Sequence, residues 1–159
     1  METPPPLADG ATPPSLGDLA AVHDSLSENL LAEWMRVHVV RATRGDAVIQ
    51  MAVRPEMLNG FGTVQGGMIF AFADTAFELA SNHAERTDTM TVASGADVTF
   101  LSPAREGDTL TAIGTQVHDA RSGVYDVQVL AQRPGEREPR RVALFRGRSR
   151  TVPRPADET

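Results

Sequence analysis

Between Met68 and Ala80 the chain offers only three polar side chains, Asp74, Thr75 and Glu78. At about 100° per residue these fall on one narrow stripe of a helix, with Glu78 one turn after Asp74. A helix that is apolar nearly all round is either a membrane span or a fully buried core helix. The run is about 13 residues, and a span needs about 20. The reading is therefore a helix through the middle of a domain. A carboxylate on such a helix is costly to bury without a partner or a purpose.

The remaining pattern supplies a wrapper for that helix. A chain of 159 residues suits one domain with a real core. Residues 1–17 carry Pro4, Pro5, Pro6, Pro13 and Pro14 with few large apolar groups, which predicts disorder, and residues 153–159 read the same way. The domain then spans 18–152. Asp18 to Trp34 is helical in pattern, with Leu19, Val22, Leu26, Leu30 and Trp34 on one face. Ser25 with Glu28 fits a capping box that would split it in two.

Val37–Thr43 and Ala47–Val53 read as strands joined by the turn Arg44-Gly45-Asp46, the second placing Ala47, Ile49, Met51 and Val53 on one face. Arg54-Pro55 ends it. A loop with Asn59, Gly60 and Gly62 then delivers the chain to the helix, which Asn82 and His83 close as a C-cap. Four strands follow: Ala96–Leu101, Thr109–Val117, Val124–Gln132 and Arg141–Arg150. Turn-linked strands imply an antiparallel sheet. One helix against one curled sheet is an α+β domain of two layers.

Gly66 and Gly67 open the helix, where the first backbone amides lack intrahelical acceptors and carry the positive end of the dipole. Such amides can stabilise charge on a carbonyl oxygen, and the glycine pair reads equally as a device for close packing of helix on sheet. Asp74 lies eight residues on, about 12 Å along the axis at about 1.5 Å per residue. One carbonyl cannot touch both in one chain. Two chains with antiparallel helices would bring Gly66 of one to Asp74 of the other.

The run Asn59-Gly60-Phe61-Gly62-Thr63-Val64-Gln65-Gly66-Gly67, followed by Ala73-Asp74-Thr75-Ala76-Phe77 and Asn82, resembles the hotdog-fold acyl-CoA thioesterases of the phenylacetic-acid-degradation type. The resemblance covers residues 35–151, strand order included. It implies a hotdog fold, hydrolysis of an aromatic or medium-chain acyl-CoA, and a homodimer, commonly a homotetramer, with sites at the interface. It gives Asp74 the role of general base or nucleophile and the amides of Gly66 and Gly67 the oxyanion. Asn59 would orient the thioester or the attacking water, although on the residues alone it reads almost equally as an Asn in a left-handed turn. The family's usual His is Gln65 here, which hydrogen-bonds but does not titrate near neutral pH. Glu78 reads as a second carboxylate or a partly solvated helix residue, and Ser94 sits where relatives sometimes place a hydroxyl. Arg146, with Arg148 and Arg150 on its strand and Arg133, Arg137, Arg140 and Arg141 before it, could meet coenzyme A phosphates or form a solvated face.

Other classes are disfavoured. A net charge of −6 argues against a nucleic-acid partner. Cysteine is absent, and His23, His38, His83 and His118 show no metal-ligand spacing, so neither a metal nor a separate cofactor is expected. There is no G-x-S-x-G elbow. The N-terminus has neither a basic start nor an apolar run, so the expected compartment is the cytoplasm, with no membrane partner. The rival readings are a non-catalytic hotdog protein that binds acyl-CoA or an acyl carrier, a hotdog hydratase or dehydratase, and a structural module. The second lacks the expected His beside the Asp.

Overall fold

The structure, a computed structural model, describes residues 29–82 and 88–154. The elements run α1 (Leu30–Met35), β1 (His38–Thr43), β2 (Asp46–Ala52), α2 (Gly66–Ser81), β3 (Thr89–Phe100), β4 (Thr109–His118), β5 (Val124–Gln132) and β6 (Arg140–Pro153). The six strands form one sheet in the order β1-β2-β4-β5-β6-β3, every pair antiparallel. Edges are β1 and β3. No helix among the described residues is long and apolar enough to cross a membrane.

Helix α2 packs on one face of the sheet. Its Phe72, Ala73, Ala76, Phe77 and Ala80 are buried in one core with Ile49, Met51, Leu110, Ala112, Val127, Val129 and Phe145 of the strands. A fully buried Phe of this kind contributes about 1.5–3 kcal/mol. The Phe77 ring meets Tyr125 edge-on at 5.3 Å, and Phe70 meets Phe145 in the same way at 5.3 Å. Two strand glycines let the helix lie this close. A Cβ on Gly114 would stand 3.1 Å from the Ala76 carbonyl oxygen, and one on Gly147 would stand 2.8 Å from Phe77 Cδ2. Gly147→Val should therefore destabilise by about 1–3 kcal/mol through overpacking. Denaturant melts should show a lower midpoint with an unchanged slope. An unchanged midpoint would show that the helix has room to move away.

Several sequence expectations shift here. Helix α1 buries Ala32 and Met35, while Leu30 and Trp34, expected on the buried face, are 71% and 44% exposed. The described part of this helix is six residues, too short for the longer periodicity to set its orientation; the Ser25–Glu28 box lies outside the described residues. Asn29 is its cap, accepting from the Ala32 amide at 3.0 Å. Arg54 then fixes the helix end, donating to the carbonyls of Trp34 at 2.7 Å and Met35 at 3.3 Å.

Strand β3 starts seven residues before the expected Ala96. A bulge between Ala93 and Gly95 breaks its alternation, which hides its first half from a period-two search. Strand β6 runs on to Pro153, and the Arg154 amide bonds to the Asp88 carbonyl, so the expected tail is tied down at its start. Asn82 is the C-cap of α2, as expected, in extended geometry (φ −110°, ψ 136°). Its amide side chain clamps the Thr91 backbone, donating to the carbonyl at 2.9 Å and accepting from the amide at 2.8 Å. His83 lies outside the described residues.

Candidate active site

The loop before α2 is closed on itself. The Asn59 amide bonds to the Thr63 carbonyl at 2.8 Å, and Asn59 Oδ1 accepts from the Phe61 and Thr63 amides at 2.9 and 3.3 Å. Asn59 Nδ2 donates to Thr63 Oγ1 at 3.0 Å. Gly62 adopts φ +71°, which a side chain would strain. The Val64 amide then bonds to the Ala104 carbonyl and the Gln65 amide to the Met57 carbonyl, which aims the chain into the helix. Asn59 thus spends its carbonyl on shaping this loop, leaving one Nδ2 hydrogen for any other partner.

Gln65 is the N-cap residue, yet its exposed side chain caps nothing. Its carbonyl accepts from the Met68 and Ile69 amides at 2.9 and 3.3 Å. The amides of Gly66 and Gly67 have no acceptor among the described residues. They form the positive end of a 16-residue helix. The two glycines differ in what they permit. A Cβ on Gly66 would stand 3.0 Å from Phe100 Cζ, so a side chain there would press on that ring. A Cβ on Gly67 would meet nothing within 4 Å. Its own chain thus gives no packing cause for a glycine at 67.

The helix is not wholly buried within one chain. Gly67 is exposed, and Phe70, Ala71, Asp74 and Glu78 are half-buried, making one uncovered stripe. Thr75 is not on it. Its side chain is buried and donates to the Ala71 carbonyl at 3.0 Å, because 100° of rotation carries it away from Asp74 toward the sheet. Asp74 has neither an ion pair nor a hydrogen bond among the described residues, and burial raises its pKa. Glu78 is more deeply placed. Burial raises its pKa first and the Asp74 charge adds to that, against a hydrogen bond from Asn29 Nδ2 to Oε2 at 3.3 Å.

Asp74 and Glu78 therefore share the stripe, while Asn59, Gln65, Gly66 and Gly67 cluster at the helix start about two turns away. Ser94 and Arg146 are not brought to either group. Ser94 is the extra residue of the β3 bulge, and its hydroxyl donates to the Arg148 carbonyl at 3.1 Å. Arg146 alternates with the helix-facing Phe145 and Gly147, so it points to the opposite face, where it holds Asp126 through two bonds of 2.6 and 2.7 Å. Arg148 pairs with Asp97. Arg133 and Arg140 both pair with Asp108, whose carboxylate is fully buried. Of the arginines singled out, Arg137, Arg141 and Arg150 make no ion pair among the described residues. No group of three or more His, Cys, Asp or Glu side chains among them is placed to hold a metal.

Two residues escaped the sequence reading. Asn29 is one; an Asn directly before Leu30-Leu31 is a helix-cap signal, but nothing local links it to Glu78, 49 residues away. Phe100 is the other, and its contact with Gly66 is visible only in three dimensions.

The arrangement has counterparts. A model of the thioesterase superfamily matches residues 61–137. The acyl-coenzyme A thioesterase PaaI of Escherichia coli is 35% identical over 131 residues, covering 82% of this chain and 88% of that protein. The solved structure of that organism's PaaI protein, from the phenylacetic acid degradation operon, superimposes with a TM-score of 0.74 at 34% identity, covering 87% of this chain and 94% of that one. A Streptococcus mutans protein solved with acetyl-CoA bound matches with a TM-score of 0.65 at 27% identity, over 74% of this chain and 90% of that one.

Proposed function

The chain belongs to the thioesterase superfamily, as a relative of the PaaI acyl-CoA thioesterases with their hotdog fold, and we propose that it hydrolyses aromatic or medium-chain acyl-CoA thioesters to the free acid and coenzyme A. The observation that carries this is the pairing on one helix of two unsatisfied amides, Gly66 and Gly67, with the unpartnered, half-buried carboxylate of Asp74.

The thioester carbonyl lies against the Gly67 amide, where the backbone is open, with Gly66 as second donor. As water or the Asp74 carboxylate attacks, negative charge grows on the carbonyl oxygen, and the fixed amides need no reorganisation to meet it. Asp74 either takes the proton from the attacking water or attacks directly to give an anhydride that water then opens. Either route expels the coenzyme A thiolate. Gln65 and Asn59 lie at the mouth of this site and serve as hydrogen-bonding groups toward the substrate. Coenzyme A is part of the substrate, not a resident cofactor, and the compartment is the cytoplasm.

The working unit in this proposal is a homodimer with antiparallel α2 helices, further paired into a tetramer as the family resemblance implies. The uncovered helix stripe and the distance between Gly67 and Asp74 support it, since seven residues at about 1.5 Å each place them about 10 Å apart along one axis.

The test is release of free thiol from a panel of CoA thioesters across pH. Phenylacetyl and medium-chain members should turn over. Because Asp74 must be ionised, kcat/KM should rise with pH along a limb lying above the ordinary carboxylate value of about 3.9. Binding without turnover would instead support a non-catalytic acyl-CoA binder, the reading that Gln65 in place of a His keeps open. An acid limb at the ordinary carboxylate value would take Asp74 out of the rate law.

A further inference from the structure

We propose that Glu78 makes this site select acyl groups that carry a cationic substituent about one helical turn from the reacting carbonyl, an inference that rests on the thioesterase reading. Glu78 follows Asp74 by four residues, about 6 Å along the helix, on the same uncovered stripe. The apolar members of that stripe, Phe70 and Ala71, precede Asp74 by one turn, so the stripe runs from open amide through apolar side chains to one carboxylate and then a second.

Glu78 has no cationic partner among the described residues. Among the described residues its one side-chain partner is Asn29 Nδ2 on Oε2 at 3.3 Å, and neither Glu78 nor Asp74 takes part in an ion pair. Asp108, the fully buried carboxylate among the described residues, shows what a structural solution looks like: it pairs with two arginines and accepts from the Arg105 amide at 2.8 Å. Glu78 has burial and like-charge repulsion from Asp74, set against only the Asn29 hydrogen bond among the described residues. A neutral hydroxyl on the ligand would satisfy an oxygen but leave the repulsion. A cation satisfies both, and it also favours the ionised form of Asp74 that hydrolysis needs. Asn29, which caps α1 with Oδ1 while Nδ2 holds Glu78, positions the carboxylate for it.

The experiment compares four rigid thioesters: para-ethylphenylacetyl-CoA, and its para-(hydroxymethyl), para-(aminomethyl) and para-(carboxymethyl) counterparts. For the wild-type chain, kcat/KM for the aminomethyl compound should exceed that for the ethyl compound by about tenfold or more, with hydroxymethyl between them and carboxymethyl lowest. In Glu78→Gln the aminomethyl-to-ethyl ratio should fall to near one. The same ranking should appear in calorimetric binding of the matching non-hydrolysable phenethyl thioethers of coenzyme A. That measurement separates failure of this inference from failure of the hydrolase reading, because it needs no turnover. A flat ranking in wild type, a hydroxymethyl compound equal to the aminomethyl one, or a cation preference that survives Glu78→Gln would each overturn the proposal.

Discussion

Asp74→Asn is expected to lower kcat by about 10²–10⁴-fold while leaving the fold intact and KM nearly unchanged. Asparagine keeps the shape and one carbonyl oxygen but can neither take a proton nor attack. The stability of the variant sharpens the expectation. Burial raises the Asp74 pKa, so the folded chain keeps this proton to a higher pH than the unfolded chain does. The stability tied to that proton is full below the unfolded value of about 3.9 and is lost as pH rises through the raised folded value. At neutral pH the charged, unpartnered carboxylate is a net cost, which the neutral amide removes. Melting at neutral pH should therefore stay level or rise, and the advantage over wild type should shrink as the medium is acidified. A carboxylate with a purely structural role behaves oppositely, with normal turnover per folded molecule and a lower melting temperature. Retention of more than about a tenth of wild-type kcat would remove Asp74 as the catalytic carboxylate.

Which parts of this molecule the sequence displays follows from how local their causes are. The apolar run from Met68, the proline after Arg54 and the turn at Gly45 act over a few residues, so α2, β1, β2 and the antiparallel order could be read directly. The Asn59–Gly67 segment was legible as a shaped loop because its closure is internal, Asn59 to Thr63. What depended on long-range contacts was not. Arg146 reads as a coenzyme A contact or as part of a solvated face until Asp126 on the neighbouring strand is seen to hold it. Leu30 and Trp34 read as core residues until Ala32 and Met35 prove to face inward. The Gly66-Gly67 pair looks uniform in sequence, yet Phe100 gives the first a packing cause and leaves the second open. Thr75 is the plainest lesson in angle: one residue after Asp74, it belongs to the other side of the helix.

Mixing two inactive chains should restore turnover if each site is built from two protomers. One chain carries Asp74→Asn and the other Gly67→Leu. Gly67 is the better position to block than Gly66, because a Cβ there meets nothing within 4 Å and the fold should be left undisturbed, whereas a Cβ at Gly66 presses on Phe100. Each variant alone should lose about 10²-fold or more, the first through the carboxylate and the second by filling the carbonyl's approach. In a hybrid dimer one site combines both lesions, and the other joins an intact Gly67 to an intact Asp74. After random exchange of equal amounts, half the dimers are hybrids with one working site of two, so activity should recover to about a quarter of wild type. Sites contained within single chains cannot be rescued this way, since every chain in the mixture carries a lesion. Confirmed hybrid formation without recovery would therefore refute the shared site. So would sedimentation at micromolar concentration that shows only the 17.1 kDa chain.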